Sequence, residues 1–300
     1  MKERVIAIVG PTAVGKTKLS IALAKALNAE IISGDSAQVY RGLNIGTAKI
    51  TPEEMEGIPH HLLDLFEPTE QFTVYDFQQL AREKIREINA RGKVPLIVGG
   101  TGLYIRAALY DYLFTPGGRD LSFEHQFNHL SNEALHALLA SYDPEGAQAI
   151  HPNNRRRILR KLDILRKGGT FPDQPPRLLY DALIIGLTMD RERLYQRIEQ
   201  RVDEMVERGL IEEAKALFDR GILPNIIGYK EFIPYFKGEA SLMEALATLK
   251  KNTRRLAKRQ LSFFRNQFPE LVWVSVDEVH FDRTIEEVKA LAFPWLAKFK

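Results

Sequence analysis

The sequence predicts an α/β fold in which a parallel β-sheet is flanked by helices and carries a helical insertion. Six short, apolar and mostly β-branched segments alternate with helical patterns. This alternation is typical of βαβ units, whose strands pair in parallel. The predicted strands are Val5–Val9, Glu30–Ser33, His61–Leu65, Val94–Val98, Ala182–Leu187 and Leu271–Val276.

Two of the intervening helices are marked by their terminal residues. Thr73 and Asp76 have the spacing of a capping box, and the helical pattern behind them runs to Arg91–Gly92. Asp190 is placed to cap a second helix that ends at Arg208–Gly209. Both segments therefore begin with a side chain that accepts from free backbone N–H groups and end near a glycine.

The strand pattern disappears between Tyr112 and Tyr180. The turn-forming residues Pro116–Gly118 open this segment, and the proline-rich stretch Phe171–Pro176 closes it. We interpret the segment as a helical domain inserted into the sheet domain. The predicted domains are a core over residues 1–111 and 181–300 and a helical insertion over residues 112–180.

Composition narrows the classes of function. The chain has 300 residues, is 45% hydrophobic and contains no cysteine, so disulfides and thiolate metal sites are excluded. No stretch approaches the 18 apolar residues of a membrane span, and the first apolar segment is too short for a secretion signal. We expect a cytoplasmic protein and a monomer.

A glycine-rich loop follows the first predicted strand. It reads Gly10-Pro11-Thr12-Ala13-Val14-Gly15-Lys16-Thr17, and a helical pattern at Lys18–Leu27 follows it. Strand, G-x-x-x-x-G-K-T loop and helix together predict a P-loop, whose backbone N–H groups surround phosphate oxygens. Lys16 adds a full positive charge, and Thr17 offers a hydroxyl to Mg²⁺. The predicted fold is therefore P-loop NTPase-like.

Two further turns follow strands and are expected at the same edge of the sheet. Asp35 follows the second strand, and Thr101 lies in a glycine-rich turn after the fourth. The residues leave three roles open for Asp35: holding Mg²⁺ through water, acting as a general base, or capping a helix that begins at Ser36. Thr101 either caps the helix predicted at Gly102–Leu109 or binds a substrate.

The neighbouring residues His60 and His61 lie close to Asp64 in the sequence. This combination resembles a metal cluster only superficially. Adjacent residues of a strand point to opposite faces, so the two imidazoles are not expected to bind one ion.

Two helical segments are strongly basic. The segment Asn154–Lys167 holds seven Lys and Arg residues against Asp163 alone, and Lys250–Arg265 holds seven with no acid. Lys250, Arg254 and Lys258 share one stripe of the second helix. Such faces suit either solvent or a polyanion such as nucleic acid, and two of them in one near-neutral chain favour the polyanion.

Several motifs resemble those of the tRNA dimethylallyltransferases, the isopentenyl transferases of bacterial and organellar tRNA. The most specific is the block Asp-Ser-Ala-Gln-Val-Tyr at 35–40 followed by Ile-Gly-Thr-Ala-Lys at 45–49. The matches run in order over nearly the whole chain. The other matching segments are residues 10–17, 59–64, 98–104, 151–154, 197–201, 227–231 and 257–261.

The resemblance implies a reaction and a role for each matching residue. Residues 10–17 and Arg201 would bind the diphosphate of dimethylallyl diphosphate, with Mg²⁺. Asp35 would act as general base on the N6 amine of the adenosine on the 3′ side of the anticodon, with Thr101 contacting that base. The insertion would close over the anticodon stem-loop. Residues implied to contact tRNA are Asp35, Ser36, Ala37, Gln38, Thr101, Arg156, Arg157, Ile158, Leu159 and Arg160.

The chain departs from the family pattern in two places. Leu256 and Phe263 lie in a segment where family members usually carry Tyr and Trp, and these replacements preserve apolar character. The segment Arg119–Phe123 aligns poorly, so a further family arginine that contacts tRNA is not placed.

Three other functions are compatible with part of the pattern. A P-loop kinase for small molecules would leave both basic helices without a role. An enzyme that prenylates free adenine nucleotides would share the loop and Asp35 but would not need the basic helices. An RNA-binding module would not need Lys16, Thr17, Asp35 and Arg201 together.

Overall fold

The computed structural model of the protein describes residues 2–112, 114, 120–168 and 176–299. Six parallel strands form one sheet, as the sequence predicts. The strands are β1 (Arg4–Val9), β2 (Ala29–Ser33), β3 (His60–His61), β4 (Val94–Gly99), β5 (Asp181–Thr188) and β6 (Val272–Ser275). Their order is β3-β2-β4-β1-β5-β6, so the strand that precedes the glycine-rich loop is central.

Helices cover both faces of this sheet. Both helices predicted from their terminal residues are present, and the capping box of Thr73 and Asp76 is formed. The described helices of the larger unit are α1 (Lys16–Leu27), α2 (Val74–Ala90), α3 (Gly102–Leu109), α8 (Arg191–Glu207), α9 (Leu210–Asp219), α10 (Ile233–Phe236), α11 (Leu242–Gln267) and α12 (Phe281–Ala297). A 3₁₀ turn at Lys230–Phe232 precedes α10.

The alternation of strand side chains divides the interior into two cores. In β1, Ile6 and Ile8 pack into a core with α1, α8 and α12, whereas Val5, Ala7 and Val9 pack into a core with α2 and α3. These five side chains are fully buried. Because both faces of β1 are covered, the strand is a continuous apolar run.

A third core in the larger unit was not foreseen from the sequence. The helices α9, α10 and the first half of α11 bury apolar side chains around Phe232 and Tyr229. Leu43, from the segment that follows β2, is fully buried in this core. This core thereby fixes the segment around Leu43, which continues to Thr47 and Ala48 at the carboxyl edge of the sheet.

The chain divides into two compact units. One comprises Met1–Asp111 and Leu178–Lys300, and the other Tyr112–Arg177. In the smaller unit, Leu135, Leu139 and Ile158 are fully buried in a core of their own. Its described helices are α4 (Leu121–His125), α5 (Asn132–Tyr142), α6 (Pro144–Gln148) and α7 (Arg155–Arg166). The turn residues at 116–118 and most of the proline-rich stretch, 171–175, lie outside the described residues.

One predicted strand end was wrong, and one of the alternatives left open for Asp35 is absent from the described structure. The third strand ends at His61 because Leu62 and Asp64 have positive φ angles of 64° and 53°, which an extended strand does not allow. No helix begins at Ser36, where the chain forms bends and turns up to the isolated bridge of Tyr40.

The paired histidines of β3 bond in different directions. His61 Nε2 lies 2.8 Å from the Glu30 carboxylate, whereas His60 Nδ1 lies 2.8 Å from the carbonyl oxygen of Ile58. Within the described ranges, no three His, Asp or Glu side chains are grouped as a metal site. Among the same residues, no helix combines the length and apolar character needed to cross a bilayer.

Candidate active site

A cavity of about 460 Å³ opens at the carboxyl edge of the sheet. The loops after β1, β2 and β4 contribute to it, as expected for a ligand site in an open parallel sheet. Side chains of α8 and α11 complete its lining. The lining residues are Thr12, Ala13, Gly15, Lys16, Thr17, Lys18, Asp35, Gln38, Thr47, Ala48, Val98, Gly99, Gly100, Arg197, Gln200, Arg201, Glu204 and Gln260.

The glycine-rich loop has the backbone shape of a phosphate-binding turn. Ala13 and Gly15 have φ angles of 66° and 104°, which turn the chain back so that α1 begins at Lys16. A Cβ at Gly15 would also lie only 2.8 Å from the Phe281 ring, so two constraints require glycine there. Lys16 Nζ donates to the carbonyl oxygens of Gly10 at 3.0 Å and Pro11 at 2.7 Å.

Two cations concentrate positive charge in this cavity. The pKa of Lys16 is lowered to about 7, first by burial and then by the charge of Arg201, against the charge of Asp35, which raises it. Burial likewise lowers the pKa of Arg201. Arg201 is half-buried and has no hydrogen bond or ion pair to any residue that the structure describes. An anionic ligand would supply the missing partner.

Asp35 uses one carboxylate oxygen to shape its own turn. Oδ1 accepts a 2.8 Å hydrogen bond from the backbone N–H of Ala37. Of the three roles left open for Asp35, helix capping is therefore not the one found, and the side chain closes an Asx turn instead. Oδ2 has no hydrogen bond to the described part of the chain, so it is available in the cavity to accept a proton.

Thr101 joins the turns that follow β2 and β4. Its Oγ1 accepts from the backbone N–H of Ser36 at 3.1 Å and lies 3.3 Å from Ser36 Oγ. Thr101 occupies the N-cap position of α3, but its side chain makes no capping bond to that helix. The hydroxyl thus fixes the residue next to Asp35 rather than the start of α3.

In the turn that follows β4, Gly99 and Gly100 allow neighbouring backbone and side-chain atoms to approach closely. A Cβ at Gly99 would lie 2.3 Å from the Gly34 carbonyl oxygen, and one at Gly100 would lie 2.3 Å from Gln260 Nε2. Gln260 Oε1 also accepts from the backbone N–H of Thr12 at 2.9 Å. Gln260 therefore connects α11 to the P-loop, a role that sequence reasoning missed although this residue lies in a matching motif.

The wall of the cavity next to Asp35 is formed by Gln38, which the family resemblance indicated, and by Thr47 and Ala48, which were missed. Gln38 Nε2 donates to the carbonyl oxygens of Thr47 at 3.2 Å and Ala48 at 3.3 Å. On the P-loop side, Arg197 Nε donates to the Ala13 carbonyl oxygen at 2.9 Å. Thr47 and Ala48 lie in the family motif at residues 45–49, and this motif could have identified them as site residues.

Thr17 fits a Mg²⁺ ion. Its side chain is exposed to the cavity, and its hydroxyl makes no hydrogen bond to a described residue. Mg²⁺ in phosphate sites usually takes one or two protein oxygens together with phosphate oxygens and water. Thr17 Oγ1 is a suitable donor.

The predicted RNA-contacting stretch of α7 is only partly accessible. Arg156 and Arg157 are exposed and have no side-chain partner among the described residues, whereas Arg160 pairs with Asp163 at 3.1 Å. Ile158 and Leu159 are buried in the core of the smaller unit. The side chains of Ile158 and Leu159 are therefore not exposed at the surface of the smaller unit. Arg119 lies outside the described residues.

The basic helix α11 is partly neutralised by α8. Lys250 pairs with Asp203 at 2.6 Å, and Arg254 pairs with Glu199, so the predicted stripe loses two of its three charges. Four exposed cations make no ion pair or hydrogen bond within the described ranges and form the α11 basic face: Lys251, Arg255, Lys258 and Arg259.

Comparison with known proteins identifies the family of this chain. The model of the family described as IPP transferase matches residues 38–267. A tRNA dimethylallyltransferase of Geobacillus kaustophilus is 54% identical over 301 residues, which cover 96% of each chain. One of Bacillus subtilis is 53% identical over 285 residues, covering 91% of this chain and 90% of that protein.

Two solved structures resemble the whole chain. The full-length tRNA isopentenylpyrophosphate transferase of Bacillus halodurans is 49% identical, with a TM-score of 0.77, and the match covers 99% of this chain and 98% of that one. A eukaryotic dimethylallyltransferase acting on tRNA is 30% identical, with a TM-score of 0.85, covering 97% of this chain and 78% of that one. The sequence and the fold together show that this chain belongs to the IPP transferase family.

Proposed function

We propose that the protein transfers a dimethylallyl group from dimethylallyl diphosphate to tRNA. The acceptor is the N6 amine of the adenosine on the 3′ side of the anticodon, and diphosphate is released. One observation carries the proposal: a single cavity holds the P-loop, the unpaired Arg201 and the free carboxylate oxygen of Asp35. The names of the relatives, which are transferases acting on tRNA, support the same reaction.

The cations act on the leaving group. As the bond between the allylic carbon and the diphosphate oxygen breaks, negative charge develops on the diphosphate. Lys16, Arg201 and the N–H groups at the start of α1 stabilise that charge. When bound, Mg²⁺ would neutralise further charge on the diphosphate, with Thr17 as a ligand.

Asp35 acts on the acceptor. An aromatic amine is a weak nucleophile, so removal of its proton assists formation of the new bond between N6 and the allylic carbon. Asp35 Oδ2 accepts that proton while Oδ1 remains bonded to Ala37. The acceptor adenine must leave the anticodon stack to reach the cavity, as in other enzymes that modify a base.

The exposed cations supply the affinity for RNA. Arg156, Arg157 and the α11 basic face have no acidic partner among the described residues, so they are available to phosphate groups. These cations bind the phosphate backbone of tRNA, and the smaller unit binds the anticodon stem-loop.

The proposal is tested by measuring which donor the protein binds and which acceptor it modifies. Labelled dimethylallyl diphosphate is incubated with the protein and either tRNA or AMP, and we expect label only in tRNA. Label only in AMP would show an enzyme for free nucleotides. Stabilisation against heat by ATP, but not by dimethylallyl diphosphate, would support a kinase, because a ligand of the native state must raise its Tm.

A further inference from the structure

Glu213 occupies an unusual position for a helix carboxylate. It lies in α9, and its two oxygens accept from three consecutive backbone N–H groups of another segment. The donors are Asn44 at 3.2 Å, Ile45 at 3.0 Å and Gly46 at 3.1 Å. Converging N–H groups of this kind form an anion-binding nest. Here the anion is a side chain of the protein itself.

Tyr229 also binds the carboxylate of Glu213. Its hydroxyl donates to Glu213 Oε1 at 2.6 Å. Burial raises the pKa of Tyr229, and its hydrogen bond to Glu213 raises it further, so the hydroxyl remains a donor. A Cβ at Gly46 would lie 2.6 Å from the Tyr229 ring, and one at Gly228 would lie 2.6 Å from the Gly46 carbonyl oxygen. The segment is thus held tightly by packing as well as by charge.

The segment that Glu213 holds leads directly into the active-site wall. Thr47 and Ala48 follow Gly46 and line the cavity that contains Asp35. Their carbonyl oxygens accept from Gln38, which also lines the cavity. Glu213 itself does not line the cavity, so any effect it has on the reaction passes through this wall.

We propose that Glu213 is a positioning residue for prenyl transfer, because its bonds to residues 44–46 fix the cavity wall formed by Thr47, Ala48 and Gln38. This inference rests on the proposed function. The wall then orients the allylic chain and the acceptor amine, whereas diphosphate is bound by other groups. Loss of the contact should therefore reduce kcat and leave the affinity for diphosphate unchanged.

The test compares Glu213→Gln with Glu212→Gln. The control changes the neighbouring carboxylate of α9, which is exposed and makes no bond to residues 44–46. Tyr229→Phe removes one hydrogen bond from the contact and serves as a second, milder variant. Each protein is assayed for Tm, for the Kd of inorganic diphosphate, and for kcat and KM with dimethylallyl diphosphate and tRNA.

We expect kcat of Glu213→Gln to fall on the order of tenfold to a hundredfold, because misplacement of reacting groups by about 1 Å has effects of that size. Its Kd for diphosphate should stay within about twofold of the wild-type value. Tyr229→Phe should show a smaller fall in kcat, and Glu212→Gln none.

Two results would overturn the inference in distinguishable ways. A lower Tm with wild-type kcat in the folded Glu213→Gln and Tyr229→Phe proteins would show a purely structural contact, while the proposed function would stand. Absence of transfer by the wild type would overturn the proposed function, and the positioning role with it.

Discussion

At the scale of single residues, the two carboxylate oxygens of Asp35 have separate tasks. Oδ1 accepts from the N–H of Ala37 and holds the turn, while Oδ2 lies in the cavity without a hydrogen bond to any described residue. Asn at this position can keep the first bond but cannot act as a base. The substitution therefore separates chemistry from local structure.

Asp35→Asn and Asp35→Ala should lower kcat by at least about 10²-fold, because a general base contributes that much to the transition state. Binding of tRNA should change little, since the base acts mainly in the transition state. Single-turnover transfer and tRNA binding are measured for each variant, with Asp219→Asn as the control. Turnover by either Asp35 variant above about a tenth of the wild-type value would refute the assignment.

Lys16→Ala and Arg201→Ala should each weaken binding of inorganic diphosphate by on the order of tenfold or more. Hydrogen bonds to charged groups contribute about 1.5–3 kcal/mol, which corresponds to that range. Titration calorimetry with diphosphate measures the effect. Arg193→Ala removes an exposed arginine from the same helix as Arg201 and should have no effect. Unchanged affinity in both site variants would remove the phosphate role.

At the scale of elements, most of the fold is predictable from the sequence because local pattern decides it. The buried parallel strands are apolar runs, and α2 and α8 are marked by capping residues. The third strand was overextended because its ending depends on positive φ angles at Leu62 and Asp64, and the first of these residues, a leucine, rarely adopts such an angle.

Sequence pattern alone predicted site residues where they directly follow a strand, whereas Arg201, which lies in α8, was found only through the family motif. The P-loop, Asp35 and Thr101 were found from their positions after strands. Gln260 and Glu213 lie in helices distant in sequence, and only packing brings them to the P-loop and to residues 44–46. The charge pattern of α11 was likewise incomplete, since the acids that neutralise Lys250 and Arg254 lie in α8.

Reversal of charge in α7 tests the RNA surface. Arg156→Glu with Arg157→Glu should weaken tRNA binding, and each lost phosphate contact should reduce the slope of log K against log salt by roughly 0.7 to 0.9. The matched control reverses the exposed residues Lys237 and Lys298, so that net charge changes equally. Titrations at three salt concentrations give the slopes. Equal slopes for wild type and the α7 variant would show that these arginines face only solvent.

At the scale of the whole molecule, a buried carboxylate makes stability depend on pH. Burial alone would raise the pKa of Glu30, but hydrogen bonds from Arg91, His61 and Lys93 outweigh it and hold the pKa at about 2. The unfolded chain, with a value near 4.5, binds the proton first on acidification. Stabilisation from Glu30 is therefore complete above about pH 4.5 and is lost as pH falls towards 2.

Glu30→Gln should lower the free energy of unfolding by roughly 3 kcal/mol at pH 6, and the difference from wild type should narrow at pH 3. Urea unfolding at both pH values measures the free energy of unfolding, and Glu207→Gln, which changes an exposed residue, is the control. If the difference in unfolding free energy between Glu30→Gln and wild type were the same at pH 6 and pH 3, the ionised Glu30 carboxylate would not be the source of the stabilisation.

The most direct test of the whole account uses one anticodon stem-loop in two forms. The first carries adenosine on the 3′ side of the anticodon, and the second carries purine riboside, which lacks the N6 amine, at that position. Both are incubated with the wild-type protein and labelled dimethylallyl diphosphate, then digested to nucleosides and analysed by mass spectrometry. We expect a prenylated adenosine from the first RNA, no label in the second, and release of one diphosphate for each group transferred. Label in the second RNA, or no transfer to the first, would contradict the assignment of the cavity to N6 prenylation.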